Sequence, residues 1–218
     1  MRTARVLLVL GGTWHNFEGY ADFLGDLLRV AGHEIELTYD FDDLNRISDS
    51  SFDVVALYTC LGGSDDGHSV GTDLDAEQTS SLVEWVRNGG GLLPLHCATV
   101  VAESNPELIR LFGGTFVSHP PECTFHVYPM YPGHAITHGA QSFEVFDELY
   151  IQDYHESVDV HLIAVHDGTS YPMAWTRTEG NGRVAHVALG HSEKVWNLPE
   201  YGRMILQAVD WVRGESDG

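Results

Sequence analysis

Short apolar runs alternate with longer segments of helical periodicity over the first hundred residues. The apolar runs predict buried strands at residues 5–10, 34–39, 53–59 and 91–96. Apolar side chains recur at helical spacing over residues 17–31, and Gly32 follows as a stop signal. A second helix is predicted to begin after Asp75, where Gln78 completes a capping box, and to end at residues 89–91. Strands that alternate with helices predict a parallel sheet with right-handed crossovers.

The second half of the chain has a different pattern. A short helix at residues 106–112 precedes strand-like segments with no helix between them, at residues 124–130, 142–150, 161–166 and 171–176. A strand at residues 182–189 and an amphipathic helix at residues 199–213 follow. We therefore predict an α/β fold whose parallel sheet carries an antiparallel extension in the second half. No repeat, linker or low-complexity tract divides the sequence, which predicts a single domain over residues 1–218.

The composition narrows the classes of function. The chain has 11 Lys and Arg against 32 Asp and Glu, which gives a formal net charge of −21. A field of that sign repels phosphate backbones and anionic lipid surfaces, so nucleic-acid and membrane partners are not expected. No apolar run approaches the roughly 20 residues of a membrane helix. The same field argues against a polyanionic substrate.

The cysteines and the common motifs exclude further classes. Cys60, Cys97 and Cys123 are odd in number and not in Cys-x-x-Cys spacing, which favours a reduced, cytoplasmic protein. The dinucleotide pattern Gly-x-Gly-x-x-Gly and the P-loop are absent, so no nucleotide cofactor is predicted. The Gly-x-Ser-x-Gly pattern of serine hydrolases is also absent. The Gly-, Asp- and Ser-rich residues 61–72 are predicted to form a loop.

Four of the thirteen histidines follow predicted strand ends, namely His15, His96, His119 and His191. The carboxyl ends of parallel strands meet at one edge of a sheet, so these imidazoles are expected to converge there. Three neutral imidazoles with water suit Zn²⁺, and an added carboxylate suits Mn²⁺ or Fe²⁺. Without a metal, the same set offers a general acid and base. The other histidines are expected to have structural roles, as partly buried and hydrogen-bonded side chains.

His96 has the most informative setting of the four. A helix that stops at three glycines leads into a short apolar strand, and that strand ends on His96, with Cys97 beside it. A turn from strand to helix at this place lifts one side chain into the crevice above the sheet, as a nucleophile elbow does. An imidazole there suggests proton transfer or metal ligation. The alternative is a core histidine with both nitrogens hydrogen-bonded.

Seven short motifs occur in an order that resembles the ThuA-like (trehalose-utilisation) family. They are GGGLLPLH at 89–96, GGTFVSHP at 113–120, HAIT at 134–137, DELY at 147–150, PMAW at 172–175, GRV at 182–184 and LGH at 189–191. The resemblance implies a flavodoxin-like sheet of the class I glutamine amidotransferase type. It places His96 where glutaminases have their nucleophilic cysteine, which removes the glutaminase nucleophile. It also implies that His191 faces His96 across the crevice, with Glu193 orienting His191.

The resemblance also implies a sugar-related activity. We expect an enzyme of sugar catabolism that acts on a glycoside or keto-sugar by hydrolysis, elimination or isomerisation. His96, His191 and Glu148 are the predicted catalytic residues, and a divalent metal (Zn, Mn or Fe) on His15, His96, His119 and His191 is the predicted cofactor. The predicted sugar-binding aromatic residues are Tyr150, Trp175 and Trp196, because sugar C–H faces stack on large rings.

Two other functions remain open. One is a non-catalytic carbohydrate-binding or regulatory partner of a sugar dehydrogenase. The other is a thiol-dependent hydrolase or amidotransferase that uses Cys97. The expected partners are a small carbohydrate, a second copy of the chain in a homo-oligomer, and the dehydrogenase.

Overall fold

A computed structural model describes residues 2–49, 51–62, 64–65, 68–69 and 73–214. The strands in these ranges are β1 (Arg5–Gly12), β2 (Glu34–Thr38), β3 (Val54–Cys60), β4 (Ser64–Asp65), β5 (His68–Ser69), β6 (Gly91–Pro94), β7 (Gly114–Ser118), β8 (Cys123–Pro129), β9 (Phe143–Asp147), β10 (Ile151–Tyr154), β11 (Asp159–His166), β12 (Thr169–Glu179) and β13 (Gly182–Val187). The α-helices are α1 (Phe17–Val30), α2 (Ala76–Arg87), α3 (Pro106–Phe112), α4 (Glu193–Trp196) and α5 (Pro199–Val212). Segments of 3₁₀-helix lie at Phe41–Asp49, His96–Thr99 and Ala135–Thr137.

Nine strands form one sheet in the order β2-β1-β3-β6-β13-β12-β11-β8-β9. Five neighbouring strands run parallel to one another, namely β2, β1, β3, β6 and β13. The strands β12, β11, β8 and β9 continue the sheet in antiparallel pairs. When the five parallel strands are numbered in chain order, their order across the sheet is 2-1-3-4-5, as in flavodoxin-like folds. The predicted α/β fold, with its antiparallel extension, is confirmed. In this order the direction of winding reverses between β1 and β3, and ligands of such sheets bind at that point.

The central parallel strands β1, β3 and β6 are mostly apolar because helices cover both faces of the sheet there, whereas the edge strand β2 carries Glu34 and Glu36. In β1, Leu8 belongs to the core on the side of α1 and α5, whereas Leu7 and Val9 belong to the core on the side of α2 and α3. Successive side chains of a strand point to opposite faces, so a strand buried on both faces needs a continuous apolar run. The predicted capping box of α2 is also confirmed, since Asp75 and Gln78 exchange hydrogen bonds at its start.

Several short elements were not predicted. β7 pairs with β10 in a separate antiparallel ribbon, and α4 is a single turn after β13. These segments lack the length or the periodicity that reveals a strand or helix in sequence, and tertiary contacts decide their structure. Within the predicted loop at residues 61–72, β4 and β5 form a small hairpin. The rest of that segment beyond residue 62 lies outside the described residues.

Three arginines surround the buried carboxylate of Glu179 at the end of β12. The side chain of Glu179 is 9% exposed, and it accepts hydrogen bonds from Arg87 at 2.8 Å, Arg177 at 2.9 Å and Arg110 at 3.0 Å. Arg177 also donates to the backbone carbonyls of Arg110 and Leu111, which ties β12 to the end of α3. Burial alone would raise the pKa of Glu179, but the arginines outweigh it and lower the pKa to about 2.

Replacing Glu179 with glutamine is expected to lower the free energy of unfolding by roughly 1–3 kcal/mol at pH 7. Because the pKa of Glu179 is depressed in the folded state, its contribution is present above the unfolded pKa of about 4.3. That contribution is lost as the pH falls towards 2, so the two proteins converge. Urea denaturation at pH 7 and pH 3 measures this change. Glu34→Gln is the matched control, since Glu34 forms an exposed pair with Arg5 at 3.5 Å.

Candidate functional site

His96 follows β6 by two residues and begins the 3₁₀ segment His96–Thr99. Its backbone has a φ of 43°, in the left-handed region that non-glycine residues seldom occupy, and its side chain is fully buried. Strain of this kind collects at functional sites. Nδ1 of His96 lies 2.7 Å from the carbonyl oxygen of Ala188. Since a carbonyl only accepts, Nδ1 must donate, which leaves Nε2 with its lone pair directed into the site.

His15 follows β1 and has the same arrangement. Its Nδ1 donates to the carbonyl oxygen of Thr13 at 3.0 Å, so Nε2 carries the lone pair. The ring centroid of His15 lies 5.0 Å from that of His96 and 5.1 Å from that of His191. Burial, with a further contribution from His96, lowers the pKa of His15 to about 3. His15 is therefore neutral near pH 7, the state that a metal ligand requires.

Asp147 positions His191 through the backbone. The carboxylate of Asp147 accepts hydrogen bonds from the backbone N–H of Gly190 at 2.8 Å and of His191 at 3.1 Å. Burial raises the pKa of Asp147, and these hydrogen bonds oppose the rise. Asp147 ends β9, in the antiparallel extension, whereas His191 follows β13 of the parallel sheet. The extension thus fixes the turn that presents His191.

Glu148, the next residue, faces two of the histidines. Its Oε2 lies 3.2 Å from Nδ1 of His191 and 3.4 Å from Nε2 of His96, at ion-pair distance but without hydrogen-bond geometry. Burial alone would raise the pKa of Glu148, but the two imidazoles outweigh it and lower the pKa. Contact with Glu148 raises the pKa of His191 in turn, against the effect of burial. The two histidines therefore stabilise the ionised form of the Glu148 carboxylate.

These four residues form what we call the histidine–glutamate cluster: His15, His96, Glu148 and His191. One ligand atom from each lies within 4.8 Å of all the others. Three ring nitrogens at its centre, Nε2 of His15, Nε2 of His96 and Nδ1 of His191, are buried and make no hydrogen bond. Buried polar atoms without partners are rare and call for an explanation, such as a bound ion or water.

His119 lies outside this cluster, although it was predicted as a fourth imidazole ligand. Its side chain is 34% exposed, and its Nε2 lies 3.6 Å from Oε1 of Glu148. His96 and His191 contact the other carboxylate oxygen, Oε2. Its Nδ1 donates to the carbonyl oxygen of Pro120 at 2.8 Å. Glu148 is thus the fourth member of the cluster in place of His119. His119 contacts only Oε1 of Glu148.

A cavity of about 410 Å³ opens beside the cluster, and we call it the cluster cavity. Tyr150 and Phe116 form one wall, and the ring of Tyr150 stacks on His96 with a centroid distance of 4.3 Å. Tyr150 is only 2% exposed, so it supports His96 from behind and offers little surface to a ligand. Trp14, which is 59% exposed, forms another part of the lining.

Two of the predicted roles need correction, those of Trp175 and Glu193. Trp175 is fully buried, donates its Nε1 hydrogen to the carbonyl oxygen of Phe112 and packs on His186, so it is a core residue away from the cavity. Trp196 is 4% exposed and donates to the carbonyl oxygen of Gly190 at 2.6 Å, which holds the turn before His191. It also lines a cavity of about 360 Å³ beside His191, so its sugar-binding role stays a prediction. Glu193 is exposed, and Glu148 instead contacts His191.

The burial of Cys97 argues against thiol chemistry. Its side chain has no exposed surface, and burial raises its pKa well above the ordinary value. A nucleophilic cysteine needs a stabilised thiolate that substrate can reach, and Cys97 has neither property. Cys60 lines the cluster cavity, but burial raises its pKa to about 11. The hypothesis of a hydrolase or amidotransferase that uses Cys97 therefore has no support in this geometry.

Three residues of the site were not predicted from the sequence, namely Trp14, Phe116 and Asp147. Trp14 had a detectable signal, because it follows the glycines at the end of β1, where ligands of parallel sheets bind. Asp147 stands directly before Glu148 in a resemblance motif, but only the fold shows its contact with a turn 43 residues later. Phe116 lies on β7, which was not predicted.

The fold and the cluster define a flavodoxin-like α/β protein with histidines and a carboxylate at the carboxyl edge of its sheet. Residues 5–212 match the family model ThuA, described as trehalose utilisation. The chain belongs to this family, which indicates a sugar-related role. A comparison with curated proteins gave no match.

Similar solved structures agree with this fold. A putative ThuA-like protein from Parabacteroides merdae is 18% identical with a TM-score of 0.81, over 98% of this chain and 91% of that one. A cytoplasmic protein from Salmonella typhimurium is 17% identical with a TM-score of 0.65, over 95% and 98% of the two chains. A GH42 beta-galactosidase from G. stearothermophilus is 15% identical with a TM-score of 0.62, over 96% of this chain and 30% of that one. Among the described residues, no helix has the length and apolar character to cross a membrane.

Proposed function

We propose that this protein is a metal-dependent enzyme of sugar catabolism. It acts on a glycoside or keto-sugar beside the carbonyl group, by hydrolysis, elimination or isomerisation. The observation that carries the proposal is the histidine–glutamate cluster, whose four ligand atoms lie within 4.8 Å of one another at the wall of a cavity. The family match, with its description of trehalose utilisation, supports the sugar part.

The donor set fits a divalent metal ion. Three imidazole nitrogens and one carboxylate oxygen are ligands that Zn²⁺, Mn²⁺ and Fe²⁺ accept, and a proton on His191 would be released when the ion binds. Each of the three buried nitrogens lacks a hydrogen-bond partner, which costs about 1–3 kcal/mol per nitrogen. One cation would satisfy all three together. His15, His96, His191 and Glu148 would hold this ion. When bound, it would polarise a substrate carbonyl or lower the pKa of a water molecule.

The residues around the cluster have distinct roles in this proposal. The carbonyl oxygens of Thr13 and Ala188 orient the rings of His15 and His96, and such outer contacts fix the tautomer of a metal-binding histidine. His119 lines the cluster cavity and contacts Oε1 of Glu148. That position suits it to exchange a proton with a substrate carbon or oxygen beside the carbonyl.

The experiment is a turnover assay with a keto-glycoside, made by oxidising one secondary hydroxyl of a disaccharide. The protein is supplied in turn with Zn²⁺, Mn²⁺ and Fe²⁺. We expect His191→Ala to reduce kcat/KM by about a hundredfold or more, because the variant loses one of the four proposed ligands of the metal. The control is His126→Ala, whose exposed imidazole lies 3.9 Å from Glu144 in the extension. Unchanged turnover in His191→Ala would contradict the proposal, and saturable sugar binding without any product would favour the non-catalytic alternative.

A further inference from the structure

A second cavity of about 360 Å³ lies next to the cluster cavity, and we call it the outer cavity. Trp14 and His191 line both cavities, so the two spaces adjoin at these side chains. Each volume lies near the lower end of the roughly 300–1,000 Å³ of small-molecule sites. A ligand that fills both therefore has two parts, with the indole of Trp14 at the junction.

The backbone of Trp14 is strained in a way that presents this indole. Its φ is 73°, in the left-handed region that a bulky side chain rarely adopts. Gly12, two residues earlier, has a φ of 111°, and a Cβ there would lie 2.1 Å from the carbonyl oxygen of Cys60. The chain thus leaves β1 through a tight turn against β3. The result is a large apolar side chain that is 59% exposed, where burial would otherwise be favoured.

The outer cavity combines this apolar surface with polar groups suited to hydroxyls. The Oγ atom of Ser192 is buried and has no hydrogen-bond partner. Asn16 accepts a hydrogen bond from the backbone of Gly19 with its Oδ1 atom, which leaves its amide hydrogens available as donors. Lys194, the only lysine of the chain, also lines the cavity and holds its ammonium group 4.0 Å above the ring of Phe146.

We propose that the outer cavity is a second sugar subsite and that Trp14 is its specificity-determining residue. The inference rests on the proposed function, since it assumes that the cluster cavity takes a sugar ring. The ligand is then a glycoside of two linked rings. The ring that carries the carbonyl lies at the cluster, and the second ring lies in the outer cavity against Trp14. The apolar C–H face of a sugar packs on an indole, while its hydroxyls bond to the polar lining.

Calorimetric titration of the metal-loaded protein with maltose, cellobiose and glucose tests this subsite without any turnover. We expect the better disaccharide to bind about tenfold more tightly than glucose, which corresponds to about 1.4 kcal/mol. Trp14→Ala should bring this ratio close to one, whereas Trp14→Phe should keep most of it. Tyr131→Ala is the control, because Tyr131 is 63% exposed in a separate cleft beside β11.

The outcomes separate the subsite from the proposed function. Equal affinity for disaccharides and glucose in the wild-type protein, or an unchanged ratio in Trp14→Ala, would overturn the subsite. A ratio that depends on Trp14, with no turnover of the keto-glycoside, would support the subsite and contradict the proposed catalysis. Turnover that favours the keto-glycoside over the keto-monosaccharide, and loses this preference in Trp14→Ala, would support both.

Discussion

Replacing Glu148 with glutamine is expected to reduce kcat/KM for a keto-glycoside by about 10²- to 10⁴-fold while the protein stays folded. Glutamine keeps the shape of the side chain but removes the charge that faces His191 at 3.2 Å and His96 at 3.4 Å. Contact with Glu148 is also the main cause of the raised pKa of His191, so this pKa should fall in the variant. Steady-state kinetics, with NMR titration of the histidines, measures both effects.

Glu144→Gln is the matched control for this experiment. Glu144 also contacts a histidine, His126, but the pair is 3.9 Å apart and more than half exposed. Its loss should leave both turnover and the pKa of His191 unchanged, because exposed pairs contribute little. Wild-type turnover in Glu148→Gln would exclude Glu148 from the chemistry of the site.

Replacing Gly190 with alanine is expected to lower the free energy of unfolding by roughly 3 kcal/mol or more. The φ of Gly190 is 134°, and a Cβ at this position would lie 2.6 Å from the hydroxyl of Tyr201. That hydroxyl cannot retreat easily, because Tyr201 is fully buried and bonds to Tyr20 at 2.9 Å. Since Gly190 immediately precedes His191, the variant should also lose turnover.

Gly139→Ala separates backbone strain from steric conflict. Gly139 has a φ of 69°, but a Cβ there would meet no atom within 4 Å. Its variant should therefore lose only about 1 kcal/mol, the cost of a left-handed alanine. Thermal and urea denaturation of both variants gives the comparison. Equal losses would mean that Tyr201 does not restrict the turn before His191.

The sheet was predictable from sequence because its signals are local. A strand buried on both faces requires a continuous apolar run, and the runs at β1 and β3 show this directly. The start of α2 was equally clear, since Asp75 and Gln78 make their capping contacts within four residues. The meeting of His15, His96 and His191 followed from a general rule for parallel sheets and needed no information on side-chain direction.

Long-range contacts decide the parts of the site that the sequence analysis missed. Trp175 and Trp14 are the same residue type, but one is fully buried and the other is 59% exposed. The strand pattern around Trp175 does not show that α3 ends against this ring. The contact is a hydrogen bond from Nε1 of Trp175 to the carbonyl oxygen of Phe112. Similarly, His119 follows a strand, β7, that pairs with β10 outside the main sheet, so the rule for parallel strand ends did not apply to it.

The most direct test of the account is the metal content of the purified protein and of three variants. Elemental analysis of the wild-type chain should find about one Zn, Mn or Fe ion per molecule. His96→Ala and His191→Ala should each lose most of it, whereas His126→Ala should retain it. A wild-type protein that binds none of these metals, or equal metal content in all three variants, would contradict the assignment of His15, His96, His191 and Glu148 as a metal site.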